Sequence, residues 1–248
     1  CNELGMTLLE AQVDNSSGVL EAAGSLVARG VQAFYVGGDN TVELAVDSVI
    51  KSANQGRIPV FNNTPGLIEK GCLFGLGANY TEVGRLAGEL AGDILNGRSP
   101  ADVPVKDVVP RKLAMNLQVL ATLRDPWKIP DEEQAKADIL VDKDGKLAGT
   151  KTPAPALSNT TPEPAKPKLT KVWTIDYVNY AEADHVDETH QGFFEEFKKL
   201  GMVEGRDYRM NMKNAQGDMA TLTSLVDAEL TARPDLILLT STPTLQAV

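Results

Sequence analysis

The feature that most narrows the fold is a repeated exchange between short apolar runs and amphipathic stretches several turns long. Val19, Leu20, Ala23, Leu26 and Val27 fall on one helical face, and Gly30 closes that stretch. Val31–Val36 then reads as a strand. A second helix carries Val42, Ala45, Val46, Val49, Ile50 and Ala53 on one face, followed by the strand Ile58–Phe61. A third strand, Cys72–Leu76, precedes a long helix with Val83, Leu86, Ala87, Leu90, Ala91, Ile94 and Leu95, ended by Gly97. Short unalternating apolar strands between helices are the pattern of a buried parallel sheet, so the class is α/β.

Past Pro100 the pattern loosens. A strand is expected around Lys112–Asn116 and a short helix up to Leu123. Residues 131–151 are dense in charge, with a polar turn at Asp142–Gly145. Pro153, Pro155, Pro162, Pro164 and Pro167 then punctuate a Thr/Ala/Ser-rich stretch that cannot build a core and favours extended conformers, a semi-rigid tether at about 151–168. Beyond it the alternation resumes. Val172–Ile175 is a strand whose following loop starts at Asp176; Phe193, Phe194, Phe197 and Leu200 line a helix ending at Gly201. Tyr208–Met212 is a strand, Met219–Ala232 a helix, and Leu236–Leu239 the next strand. The division is therefore an α/β segment over 1–125, a charged then proline-rich stretch over 126–168, and a second α/β segment over 169–248. No internal repeat joins the two segments.

At the start, Cys1–Met6 reads as a helix end with a Gly stop, and Thr7–Ala11 as a strand. Cys1 admits two readings, an acylated lipoprotein cysteine or a truncation point. An acylated cysteine is usually followed by a polar, flexible tether, whereas Cys1–Met6 runs straight into Thr7–Ala11, which favours truncation; Thr244–Val248 likewise reads as a helix just begun.

Composition excludes several functions. Across 248 residues, 34 Asp and Glu against 24 Lys and Arg give a net charge of −10. That balance argues against nucleic acid, whose affinity is built from clustered cations. No apolar run is long enough to span a bilayer. Cys1 and Cys72 provide neither a disulfide framework nor a CxxC pair. His185 and His190 lie among Asp184, Asp187 and Glu188, which reads as a solvated helix start rather than a metal site. Gly75-Leu76-Gly77 is too short for a dinucleotide loop, and no P-loop, GxSxG elbow or nucleophile–base pair is present, so neither a cofactor nor an enzymatic role is expected.

In parallel α/β sheets, ligands collect beyond the carboxyl ends of the strands. Those positions hold Gly37–Thr41, Asn62–Gly66, Gly77–Tyr80, Asp176–Tyr180 and Thr240–Pro243. Their amides, hydroxyls and tyrosine rings suit a small polar or zwitterionic solute. The candidate ligand contacts are Asp39, Asn40, Asn62, Asn63, Tyr80, Tyr177, Ser241 and Thr242. Each has a structural alternative. Asn40, with Glu43 three residues on, is a capping pair that leaves Asp39 free for an ammonium group. Asn62 and Asn63 suit the turn before Pro65. Tyr80 and Tyr177 suit a core edge, and Ser241-Thr242-Pro243 suits a helix start with Pro in its first turn.

Gly30–Val42, Ile58–Phe61, Glu69-Lys70-Gly71, Tyr80 and Gly84-Arg85 resemble the C-terminal lobe of the ABC-transporter substrate-binding proteins associated with tryptophan and tyrosine uptake. Pro104-Val105, Asn116-Leu117 and Ile129-Pro130 continue the resemblance. Phe193–Gly201, Glu204-Gly205-Arg206, Asn214–Asp218, Pro234–Ile237 and Thr242-Pro243 resemble the same family's N-terminal lobe. The lobe order is reversed, as in a piece spanning the end of one tandem unit and the start of the next. Tyr177–Tyr180 departs from the usual first-strand loop, so the ligand need not be an aromatic amino acid.

The resemblance implies two Rossmann-like parallel-sheet lobes of a periplasmic-binding-protein-like fold, incomplete at both ends, that close on a small polar or amino-acid-like solute. It further implies an extracytoplasmic protein serving ABC permease subunits and meeting the membrane only through them or through a lipid anchor. A ligand-sensing domain of a regulator or receptor on the same fold is the alternative.

Overall fold

The computed structural model describes residues 1–104, 109–150 and 171–248; the proline-rich tether lies outside them. In chain order the elements are α1 (Val19–Ala28), β1 (Phe34–Val36), α2 (Asn40–Leu44), α3 (Val46–Gly56), β2 (Val60–Asn62), β3 (Phe74–Ala78), α4 (Tyr80–Leu95), β4 (Arg111–Asn116), α5 (Asp131–Gln134), β5 (Ile139–Val141) and β6 (Leu147–Thr150). After the tether come β7 (Trp173–Asn179), α6 (Asp184–Lys199), β8 (Tyr208–Asn214), α7 (Met219–Ala232), β9 (Leu236–Thr240) and α8 (Thr242–Ala247). Among the described residues no helix is long and apolar enough to cross a membrane.

These elements form two compact units. The first takes residues 1–79 with those from Arg111 through β6; the second takes α4 and its flanking residues up to Pro110, together with everything described after the tether. The long helix expected to finish the first segment thus belongs with the second.

In the first unit a six-stranded sheet runs in the order β1-β2-β3-β4-β5-β6. β1, β2 and β3 are parallel, with Val36 opposite Asn62 and Asn62 opposite Gly75. β4 pairs antiparallel to β3 and β6 antiparallel to β5, so the sheet is mixed rather than wholly parallel. β4 reaches its place by way of the excursion through α4, which leaves β3 and returns alongside it. Val19 and Ala23 of α1, Val46, Val49 and Ile50 of α3, and Val60 of β2 meet in the core. The expected second helix is broken at Ala45 (φ −110°, ψ 22°) into α2 and α3. Residues 131–150, expected as a charged tail, instead add α5 and the β5–β6 hairpin, because Ile139, Leu140 and Val141 pair onto β4. The strand expected at Thr7–Ala11 does not form; that stretch is irregular, with Leu8 exposed.

In the second unit three parallel strands run β8-β7-β9 with β7 central. Side chains alternate between faces, as the pleat requires. Ile175, Tyr208 and partly buried Leu236 meet Phe193 and Phe197 of α6, Leu200 just past its end, and Ala91 and Leu95 of α4. On the other face Val178 meets Leu222 and Val226 of α7. β7 extends four residues beyond the expected end at Ile175, because Asp176 is not a loop residue: it is buried and accepts from the Asn211 amide at 2.6 Å.

Candidate functional site

The carboxyl edge of the first unit's parallel strands gathers Asp39, Asn40, Asn62 and Asn63. Asp39 is the cap of α2, its Oδ1 accepting from the Val42 N–H at 2.9 Å. That corrects the expectation that Asn40 caps and Asp39 stands free: extended backbone at Asp39 (φ −103°, ψ 117°) brings its carboxylate over the helix start, and Asn40 is the first residue inside. Asn62 is buried with both ends of its amide engaged. Its Nδ2 donates to the Phe74 carbonyl at 3.3 Å and its Oδ1 accepts from the Thr64 N–H at 2.8 Å. Asn62 is a turn-builder, one of the two readings its sequence allowed. Thr64 Oγ1 in turn donates to Glu43 Oε1 at 2.7 Å, tying this turn to α2.

Asn63 differs from its neighbour. Its Oδ1 is buried and has no hydrogen-bond partner among the described residues. Two glycines border this residue: a Cβ on Gly77 would lie 1.6 Å from the Asn63 backbone carbonyl oxygen, and one on Gly38 (φ +57°) 2.8 Å from the side-chain Nδ2. A buried amide acceptor left without a partner is costly for folding alone.

In the second unit the register places Asn179 opposite both Asn214 and Thr240, a polar row across the carboxyl edge of all three strands. All three lie in stretches the sequence singles out, but none is among the candidate contacts; the row follows once β7 is known to run to Asn179. Asn214 Oδ1 accepts from the Gln216 N–H at 2.7 Å, and Asp218 caps α7. Hydrogen bonds from Thr221 hold the Asp218 carboxyl below its usual range.

Tyr177 lies inside β7, not in a loop, and is 2 % exposed. Its hydroxyl is 3.2 Å from Thr240 Oγ1 and its ring 5.0 Å from that of His190, which also meets Phe194 edge-on at 4.4 Å. Burial raises the Tyr177 hydroxyl and lowers the His190 imidazole, the latter against an opposing pull from Asp187. Tyr80 opens α4 with its ring 5.0 Å from His185. Both histidines are therefore half-buried against aromatic rings, not solvated as their acidic neighbours suggested. Ser241 and Thr242 begin α8, with Pro243 in its first turn as expected. Thr242 is exposed, whereas Ser241 sits at φ +78°, ψ 152°, a region that ordinarily requires glycine, with its Oγ 3.0 Å from Thr244 Oγ1.

Within each unit, then, the polar side chains converge on the carboxyl ends of parallel strands, the arrangement of a solute-binding α/β protein. Among solved structures, a glucose-galactose binding protein from Geobacillus stearothermophilus aligns with 100% of this chain and 61% of its own, at 13% identity and a TM-score of 0.56. A Streptococcus protein solved with L-Trp aligns with 56% of this chain and 48% of its own, at 21% identity and a TM-score of 0.50. The fold is that of the periplasmic binding proteins. A model of the ABC transporter substrate binding proteins matches residues 1–130, and the chain belongs to that family. A tyrosine-binding protein of Clostridioides difficile (strain R20291) is 33% identical over 116 residues, 47% of this chain and 33% of that relative. The chain thus spans about a third of the curated relative's length.

Proposed function

We propose that the protein binds a small polar or amino-acid-like solute for an ABC importer, acting outside the cytoplasm and handing the solute to permease subunits without chemical change. Closure of two lobes on the solute is the mode that the family reading implies, and it requires better contacts in the closed state than in the open one. The observation that carries the reading is Asn63, whose buried Oδ1 has no hydrogen-bond partner among the described residues and lies at the carboxyl edge where solutes bind in such folds. An acceptor there suits an N–H or O–H donor on the solute, and Asp39 and Asn40 lie on the same edge. On the second unit the contacts are assigned to Ser241 and Thr242, with Tyr80 and Tyr177 backing the edge through their rings.

Thermal-shift and calorimetric titration with L-tyrosine, L-tryptophan, D-arabinose and galactose tests this. At least one should raise the melting temperature, and Asn63→Ala should weaken that solute about tenfold through a lost hydrogen bond. Unchanged affinity would remove Asn63 from the site. A blank panel extended to the remaining amino acids and common sugars would overturn the solute-binding reading.

A further inference from the structure

The carboxyl edge of the second unit carries a side chain that the fold leaves unused. Asn179 ends β7, the central strand, and is 7% exposed. The register sets it between Asn214 and Thr240. Both neighbours are committed: Asn214 Oδ1 accepts from the Gln216 N–H at 2.7 Å, and Thr240 Oγ1 lies 3.2 Å from the Tyr177 hydroxyl. The Asn179 amide makes no side-chain hydrogen bond among the described residues, and neither of its polar atoms is sealed from solvent. Amides buried to this degree are ordinarily paired, and this one stands where parallel α/β sheets take their ligands.

We propose that Asn179 is the specificity-determining contact of the second unit, beyond Ser241 and Thr242, and that it selects a solute with neighbouring hydroxyls, a sugar or other polyol, over one bearing a carboxylate. The proposal rests on the solute-binding reading and narrows its solute class. An amide presents a donor and an acceptor side by side, Nδ2 and Oδ1. Two adjacent hydroxyls use both: one accepts from Nδ2 and the other donates to Oδ1. A carboxylate only accepts, so it leaves Oδ1 idle and brings a negative oxygen towards it. The surroundings weigh the same way. The row of Asn214, Asn179 and Thr240 holds no cation, and Lys213, the residue before Asn214, is ion-paired with Glu229. Asp218 caps α7 on the loop after β8, and Asp184 and Asp187 stand in the first turn of α6, which follows β7. An anion entering this edge meets like charges, whereas a neutral polyol does not. Asn63 on the first unit does not decide between them, because its Oδ1 accepts from a hydroxyl or an ammonium alike.

Calorimetric titration of the full chain with D-galactose, D-arabinose and further common sugars, against L-tyrosine, L-tryptophan and the remaining amino acids, separates the outcomes. A sugar should bind and the amino acids should not. Deoxy analogues of that sugar, each lacking one ring hydroxyl, should bind about tenfold more weakly at two neighbouring positions. Asn179→Leu keeps the shape and removes both polar atoms, and Asn179→Ala removes them without bulk. In either variant the sugar should weaken by about tenfold or more, and those two analogues should bind no worse than the parent. The deoxy series on the unaltered chain reads the paired contact even if a variant fails to fold, and a series without two adjacent losses overturns the proposal. Variants that still discriminate the analogues remove Asn179 from the contact. An amino acid that binds where no sugar does leaves the solute-binding reading standing and overturns the polyol assignment. A blank across both classes overturns the two together.

Discussion

Replacing Gly192 with alanine adds a single carbon, yet two ordinary physical arguments give opposite signs for the result. Helix propensity alone has Gly→Ala in a helix interior stabilising by about 1 kcal/mol. The seam between α4 and α6 says otherwise. The added carbon would stand 1.9 Å from the Thr81 carbonyl oxygen and 3.0 Å from the Arg85 nitrogen, both backbone atoms unable to rotate aside. Relief to a C···O approach of about 3.3 Å requires α4 and α6 to part by more than 1 Å. A gap of even 0.5–1 Å forfeits roughly a quarter to a half of each dispersion contact along the seam. Overpacking of this kind costs about 1–3 kcal/mol or more, so Gly192→Ala should destabilise the second unit by about 2 kcal/mol net. The same holds for Gly84→Ala, whose added carbon would stand 1.8 Å from the Thr189 carbonyl oxygen. Gly24 in α1, with open space where a Cβ would go, is the internal control: alanine there should stabilise the first unit by up to ~1 kcal/mol. Urea unfolding followed at Trp173 in a Trp127→Phe background reads the second unit alone. Neutral or stabilising behaviour of Gly192→Ala would refute the backbone-contact reasoning.

Three further outcomes follow from buried groups. Burial, with the Asp176 carboxyl beside it and Lys213 pulling the other way, holds Glu229 above its ordinary 4.5. The native state therefore binds that proton more tightly than the unfolded chain, so this contribution is present below pH 4.5 and lost as pH rises through the raised value. Glu229→Gln should flatten that part of the pH–stability curve measured by urea unfolding. His190 titrates in the opposite sense: burial lowers it from 6.5, so stability should fall as pH drops below 6.5, and His190→Phe should remove that slope. Cys72 is fully buried and its thiol is pushed up to about 12, chiefly by burial. A thiol reagent at neutral pH should label only Cys1 in the native protein, with Cys72 reacting at the unfolding rate of the first unit.

Much of the architecture was legible because burial and period coincide. The stripe from Val46 to Ala53 and the helix Met219–Ala232 both form where their apolar spacing put them. Strand ends were harder to read. Asp176 and Asn179 look like loop residues, but a buried carboxylate bonded to Asn211 continues the ladder, and only tertiary pairing reveals that. The same blindness hid the β5–β6 hairpin, whose apolar run of three residues is short and set among charges. For the site, the sequence located the loops but not the roles within them. Asp39 rather than Asn40 caps because backbone angles, not residue type, choose the cap. Asn62 and Asn63 are identical side chains; the Phe74 carbonyl and the Thr64 N–H engage the first, while the Oδ1 of the second has no partner among the described residues. Nor could periodicity assign α4 to the second unit, since an amphipathic stripe does not specify its partner.

That assignment gives the folding of the second unit a direction in time. α4 ends at Leu95 and α6 at Lys199, about a hundred residues later, which at ribosomal speeds of roughly 5–20 residues per second is an interval of about 5–20 s. Throughout that interval a helix with a glycine-lined flank waits for a companion not yet synthesised. The nascent chain must keep that flank from other surfaces, so how quickly residues 171–200 leave the ribosome decides whether the lobe assembles or goes astray.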